Sequence, residues 1–263
     1  MERWRGRVAV VTGASAGIGA AIAYQLQDAG MDVVALARRS EKIPEAVDLA
    51  RKDAEGRGRV QAQAEGKGRG KLHCLKCDVT SEEDILAAFS WVKANTAGVD
   101  VLVNNAGCTG NTGLTETNTA EWKRILDLNV LGLSICTREA IQQMKARGVD
   151  DGHIVHISSI AAHVNPFVPQ FSMYFASKHA VRVLTEGLRK ELVAAKSKIR
   201  VTEISPGLVK SDITKDLILD QAMIWSRPHL QPEDVADTVV YALGVPPHVQ
   251  IHEVILRPLG EGE

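Results

Sequence analysis

The sequence predicts an α/β fold, a doubly wound parallel sheet in a single domain, on three observations. Short apolar runs alternate with helix-length segments almost from end to end. A glycine-rich turn joins the first run to the first helix, and 263 residues are enough for one large core.

The elements follow in order. Val8 to Val11 precedes a helical segment from Gly19 to Ala29, Val33 to Leu36 precedes a helix from about Pro44, and Leu72 to Cys77 precedes Glu82 to Ala94. Val101 to Val103 leads into a long helix from Ala120 to Ala146, Ile154 to Ile157 into a helix from Tyr174 to Ala194, and Arg200 to Ile204 follows. Strands separated by helices imply right-handed crossovers, hence parallel strands with helices on both faces. Val249 to Leu256 is a further strand-like stretch. His248 and His252 beside it read as plain strand positions, because period-two side chains without a third ligand do not make a metal site.

Composition excludes several function classes. Hydrophobic residues make up 45% and charged residues 24%, the proportions of a globular protein. A net charge of -1 argues against nucleic acid as a partner, since phosphate-backbone binding needs a concentrated basic surface. No stretch reaches the roughly 18 apolar residues of a membrane span, and Met1 to Gly6 runs into the first strand without a secretory signal, so a cytoplasmic, soluble protein is expected. Cys74 and Cys77 form one CxxC with no second pair, which reads as small buried side chains. Residues 55–71 are rich in Gly, Arg, Lys and Gln, with an echoed Ala-Glu-Gly pattern at Ala54 and Ala64, and read as a mobile solvated loop.

The glycine turn is the first functional signal. Gly13, Ala14, Ser15, Ala16, Gly17, Ile18 and Gly19 stand between a strand and a helix that stops at Gly30, a natural C-terminal cap. Glycines permit close backbone approach, so amides and a helix N-terminus can face a pyrophosphate, as in a Rossmann-type dinucleotide site. The second strand ends at Ala37, where NAD-preferring folds place an acidic residue against the ribose hydroxyls. Arg38 and Arg39 follow it. Their guanidinium groups suit the 2′-phosphate of NADP(H).

The second signal is Tyr174 with Lys178, four apart on one helical face. A phenol with a pKa near ~10 needs roughly 4 kcal/mol of preferential phenolate stabilisation to titrate near 7, which an adjacent ammonium and an oxidised nicotinamide can supply. Ser158 and Ser159 close the strand Ile154 to Ile157, where a hydroxyl can hold a substrate oxygen.

With Thr12 to Gly19, Cys77-Asp78-Val79, Asn104-Asn105-Ala106-Gly107, Asn129, Ser159, Tyr174, Lys178 and Ser205-Pro206-Gly207 together, the chain resembles the short-chain dehydrogenase/reductase family over nearly its whole length. Met1 to Trp4, Ser134 to Ala140, Val149 to Ile154 and Val249 to Ile251 are similar to a branch that includes insect farnesol dehydrogenases and a vertebrate steroid reductase. The resemblance implies that Tyr174 is the general acid/base and that Lys178 binds nicotinamide ribose and lowers the tyrosine pKa. It implies that Ser159 orients the substrate oxygen, and that Asn129, inside the long helix, holds a relay water. Asp78 and Val79 would contact adenine, Asn105, Ala106 and Gly107 would line the cofactor, and Pro206, Gly207, Val209 and Ser211 would meet its nicotinamide end. It further implies one NADP(H)-binding domain over residues 1–263, a substrate-loop region at about 210–230, and a homodimer or homotetramer.

The resulting expectation is an NADP(H)-dependent oxidoreductase that interconverts a lipophilic alcohol, such as farnesol or a steroid, and its carbonyl. Phe167, Val168, Phe171, Leu217, Leu219, Met223 and Trp225 are the expected apolar pocket residues. A catalytically idle NADP(H)-binding sensor or scaffold is the alternative. The complete set Asn129, Ser159, Tyr174 and Lys178 favours the enzyme, since mere binding needs no proton relay.

Overall fold

Seven strands follow the chain as β1 (Val8–Thr12), β2 (Asp32–Ala37), β3 (Leu72–Lys76), β4 (Val101–Asn104), β5 (His153–Ile157), β6 (Arg200–Pro206) and β7 (Glu253–Leu256). All pair in parallel in one sheet ordered β3-β2-β1-β4-β5-β6-β7. The computed structural model describes residues 1–57, 68–166, 169–214 and 221–261. The connecting helices are α1 (Gly17–Asp28), α2 (Ile43–Gly56), α3 (Glu82–Asn95), α4 (Thr119–Leu126), α5 (Leu133–Ala146), α6 (Ser172–Ala194), α7 (Gln221–Trp225) and α8 (Pro232–Gly244).

The central strands are buried along their whole length, so they read as continuous apolar runs, and their period-two side chains feed two separate cores. Ala9 and Val11 face α1, α2 and α8, while Val8 and Val10 face α3, α5 and the end of α6. Local chemistry sets the helix ends. Ser81 accepts from the Asp84 amide to start α3, Asn118 does the same with Glu121 for α4, and Gln231 and Asp234 form a capping box before α8. Gly30, at φ +89°, ends α1 as its sequence position implies.

Three expectations need correction. The helix foreseen from Ala120 to Ala146 is α4 and α5 joined by a π-helical turn, Asp127–Gly132. At Gly132 a Cβ would lie 2.2 Å from the Val79 carbonyl oxygen, so the turn bends where the helix meets the chain leaving β3. The strand foreseen from Val249 begins only at Glu253. Before it, β6 side chains replace backbone pairing: Arg200 donates to the Val249 carbonyl and Thr202 to that of Ile251, at 3.2 and 2.7 Å. The loop placed at residues 55–71 starts later, because α2 continues to Gly56. Residues 58–67 lie outside the described part, and Arg69 beyond them pairs with Asp28 at 2.7 Å. Among the described residues no helix is long and apolar enough to cross a membrane.

Trp4 is wholly buried, and its Nε1 donates to the Leu243 carbonyl at 2.8 Å. The Arg7 guanidinium sits 4.7 Å from its ring centroid, a cation on the indole face. The N-terminal turn is thereby tied to the end of α8.

On β5, His153 and His156 are buried on opposite faces and bonded to threonines: His153 to Thr202 at 2.8 Å, His156 to Thr185 at 2.8 Å and Thr137 at 3.2 Å. Burial pushes the His156 pKa down to about 3, with the Lys178 ammonium adding to the effect, and holds His153 well below the ordinary histidine value. Both rings ionise only in the unfolded chain, near pH ~6.5, so the unfolded state takes up the extra protons. Stability is expected to fall as pH drops below that value, by up to about 1.4 kcal/mol per pH unit for each ring. Thermal denaturation from pH 7.5 to 5.5 should show it, with a shallower fall in His156→Gln. Equal slopes for parent and variant would contradict the account.

Candidate active site

The sheet order reverses direction between β1 and β4, and the crevice at the carboxyl ends of these two strands is where open α/β sheets bind ligands. Thr12 laces the two strands together here. Its Oγ1 accepts from the amides of Asn105 and Ala106 at 3.0 Å each, while Asn105 Nδ2 donates to the Thr12 carbonyl at 2.9 Å. The glycine turn is packed against this junction. A Cβ at Gly19 would lie 2.4 Å from both the Gly13 carbonyl and Asn105 Nδ2, and Gly13 combines φ +69° with a 2.9 Å approach to Ala106 Cα. Ala16 caps α1 without a side-chain bond, so the turn presents backbone amides to the crevice.

At the neighbouring strand end Ala37 is buried while Arg38 and Arg39 are exposed, and neither arginine forms an ion pair among the described residues. Asp78 accepts from the amide and hydroxyl of Thr80, at 3.0 and 2.8 Å, in a tight turn after β3. Val79 beside it is buried under Gly132.

One turn of α6 separates Tyr174 from Lys178, whose Nζ lies 5.8 Å from the phenol ring centroid and donates to the Ile157 carbonyl at 3.1 Å. Asn129, in the π-helical turn, locks these parts together. Its Oδ1 accepts from the Cys108 amide at 2.9 Å, and its Nδ2 donates to the Cys108 carbonyl at 2.9 Å and to Ser177 Oγ at 3.0 Å. Ser177 in turn donates to the Tyr174 carbonyl at 2.7 Å. Of the two candidate serines, Ser159 is the one hydrogen-bonded to the Tyr174 phenol. Ser158 is buried, and its amide prolongs the β5–β6 ladder by donating to the Ile204 carbonyl at 2.7 Å.

Burial raises the Tyr174 pKa and the Ser159 bond works against that rise. Burial pushes Lys178 down to about 8, opposed chiefly by the Glu203 carboxylate. The group is therefore a buried acid beside a buried cation that gives up its proton with unusual ease. Any positive charge arriving next to Tyr174 favours its phenolate.

Ser159, Tyr174 and Lys178 line a cleft of 1270 Å³ that also includes Ile18, Asn105, Gly107, Pro206, Val209 and Ser211. Its outer walls are mainly apolar, from Val164, Phe171, Phe175, Ile213 and Ile224. Of the pocket residues expected from sequence, Phe171 takes its place, while Phe167, Val168, Leu217 and Leu219 lie outside the described residues, as does the Met223 side chain. Trp225 departs from expectation: its ring meets His229 edge-on, with centroids 5.7 Å apart, and Ile224 faces the cleft instead. A five-residue helix places neighbours on different faces, and sequence alone did not locate α7.

Sequence reasoning also missed two polar groups. At the cleft rim Glu261 accepts from the Leu208 amide at 3.3 Å and from Arg257 Nε at 2.7 Å, close over Gly207. Behind Lys178, His163, Ser205, Glu203 and Glu253 form a hydrogen-bonded cluster. No spacing signal announces either, because the cluster joins β6 to β7 and to the turn after β5, and Glu261 meets Leu208 from beyond the last strand.

A sequence profile described as "short chain dehydrogenase" matches residues 7–222. The chain belongs to the short-chain dehydrogenase family. Farnesol dehydrogenase of Aedes aegypti is 47% identical over 262 residues, covering 99% of each chain. Dehydrogenase/reductase SDR family member 11 of Bos taurus is 45% identical over 263 residues, covering 98% of each. Among solved structures, the closed form of a serine dehydrogenase complexed with NADP+ superposes with a TM-score of 0.82 at 27% identity, covering 97% of this chain and 96% of that one. Membership makes this chain an oxidoreductase by family, and Ser159, Tyr174 and Lys178 lie in one cleft with Ile18 of the glycine turn.

Proposed function

We propose that the protein is an NADP(H)-dependent oxidoreductase interconverting a lipophilic alcohol and its carbonyl. The observation that carries this reading is the convergence of Ser159, Tyr174 and Lys178 on one wall of the cleft, at the switch point of the sheet. The turn from Gly13 to Gly19 fits a dinucleotide, since the space a Cβ would fill at Gly13 and Gly19 is already taken by the β4 end and the amides of the turn are left to a pyrophosphate. Arg38 and Arg39 would meet a 2′-phosphate, with Ala37 offering no carboxylate to repel it. Asp78 and Val79 would border the adenine, Asn105 to Gly107 the middle of the cofactor, and Pro206, Gly207, Val209 and Ser211 its nicotinamide end.

A bound nicotinamide supplies the hydride donor or acceptor. Ser159 holds the substrate oxygen. In reduction Tyr174 Oη gives its proton to that oxygen, and in oxidation it takes the proton away. Lys178 stabilises the phenolate from 5.8 Å below the ring, and Asn129 fixes the Cys108 backbone and Ser177 around both residues. The apolar outer wall excludes water and favours an alkyl body over a short polar substrate. The relative named for farnesol supports the same substrate class.

The test is a reduction and oxidation series with both cofactors and alcohols of increasing chain length. Affinity for NADP(H) is expected to exceed that for NAD(H) by about tenfold or more, the effect of one charge-assisted hydrogen bond, and to lose that margin in Arg38→Gln. Catalytic efficiency should rise with alkyl length, each buried methylene contributing about 0.8 kcal/mol. Equal cofactor affinities, or a flat series, would remove the corresponding half of the proposal.

A further inference from the structure

The strand pair β6 and β7 sets Glu203 directly beside Glu253 in register, and on its other side Glu203 pairs with His156 of β5, whose ring bonds Thr185 of α6, the helix that carries Lys178. Like charges in such a cross-strand pair repel, and Glu203 is only 2% exposed, so water does little to relieve it. The surroundings supply the relief. Ser205 Oγ lies between the carboxylates, 3.0 Å from Glu253 Oε1 and 3.4 Å from Glu203 Oε1. His163 Nε2 contacts Glu253 and lies 3.3 Å from Ser205 Oγ, and its ring reaches the cleft wall. On the inner side stands Lys178, anchored to the Ile157 carbonyl, and Ile157 pairs with Ile204, next in chain to Glu203.

We infer that Glu203 is a positioning residue, the buried counter-charge that keeps Lys178 an ammonium, and that Ser205, Glu253 and His163 hold its carboxylate in place. Lys178 is surrounded by Tyr174 on its own helix, Cys108 after β4, the buried neutral His156 on β5, and Glu203 on β6. Of these, Glu203 is the carboxylate. Glu203 itself faces Lys178 from α6, Ser158 just after β5, Glu253 from β7 and His163 from the turn that follows. Its own carboxyl is held above the usual range, by burial first and by Glu253 among the rest, with Ser158, His163 and Lys178 acting the other way. Without an anion here, burial would push Lys178 further toward its neutral form. Tyr174 would then lose the cation that makes its phenolate accessible. The effect of Glu203 on Lys178 stands by itself, and its consequence for turnover rests on the oxidoreductase reading.

Glu203→Gln keeps the shape and removes the charge. The direct readout is the titration of Lys178 followed by proton–carbon NMR of protein labelled at lysine Cε, the signal being assigned by its loss in Lys178→Arg. Its midpoint is expected to fall by about one pH unit or more, the effect of losing a nearby opposite charge. Glu203→Asp, which keeps the charge but withdraws it, should shift the midpoint less in the same direction, and it serves if the glutamine variant does not fold. The alkaline limb of the kcat/KM profile with NADPH should move to lower pH by a comparable amount. A residue needed only for packing would lower activity at every pH and leave both midpoints in place. An unchanged Lys178 midpoint in either variant overturns the inference. A shifted midpoint in a protein whose parent transfers no hydride would sustain it and defeat the oxidoreductase reading instead.

Discussion

Tyr174→Phe is expected to lower turnover at least about a hundredfold, the lower contribution of a positioned acid or base, while NADPH affinity changes no more than a few-fold. The substitution is selective because the ring stays useful without its hydroxyl. It would still meet Phe175 edge-on, with centroids 6.2 Å apart, and still lie 5.8 Å from the Lys178 ammonium. What disappears is the hydroxyl through which the proposed reaction passes a proton to and from the substrate oxygen. Ser159 cannot replace it: a hydroxyl with an ordinary pKa is far too weak an acid, and its oxygen already accepts from the Ala161 amide at 3.1 Å. Steady-state rates and cofactor titration on the purified variant separate the two effects. Turnover within tenfold of the parent would take Tyr174 out of the chemistry.

The second large effect is structural. Gly132→Ala places a methyl carbon 2.2 Å from the Val79 carbonyl oxygen and 3.2 Å from that of Asp127, both backbone atoms with little room to give. Overpacking of a fixed site costs about 1 to 3 kcal/mol, and the upper end is expected here because backbone must shift and not a flexible side chain. The displacement would pass along the π-helical turn to Asn129, three residues away, so the bonds to Cys108 and Ser177 should loosen too. Denaturant unfolding measures the first effect and loss of turnover beyond the folded fraction the second. Gly187→Ala is the control. It lies in α6 with nothing within 4 Å of its added Cβ, so helix propensity should make that variant about 0.5 to 1 kcal/mol more stable. A Gly132→Ala protein as stable as the parent would show that the helix is not held at that contact.

Tyr174 and Lys178 could be read from sequence because both stand on one element, where spacing alone determines proximity. The glycine turn is legible for a related reason: strand, turn and helix are contiguous, and glycine is the residue such close approach demands. The sequence places Asn129 in a helix but does not announce the π-helical turn that aims it, since at that turn Gly132 meets the carbonyl of Val79, 53 residues upstream in the chain. The cluster of Glu203, Glu253 and His163 was hidden more deeply. Its geometry follows from the β6–β7 register, and the sequence predicts too long a β7 because Arg200 and Thr202 hold residues 249–251 by side chains in place of a backbone ladder. Trp225 shows the opposite error: an aromatic residue in the right segment points to His229, and its smaller neighbour Ile224 meets the cleft.

The indole of Trp4 bonded to the Leu243 carbonyl bears on how the protein comes to be made. A ribosome adding about 5 to 20 residues per second delivers these partners, 239 positions apart, roughly 10 to 50 seconds from one another. Throughout that interval the apolar face of α1 lacks the α8 residues Val235, Val239 and Leu243 that cover it in the finished core. β1, at the centre of the sheet, also waits for β4 to emerge from the exit tunnel. The nascent N-terminal half thus lacks part of its native cover until α8 has been made, and the bond between Trp4 and Leu243 can form only after residue 243 has been added.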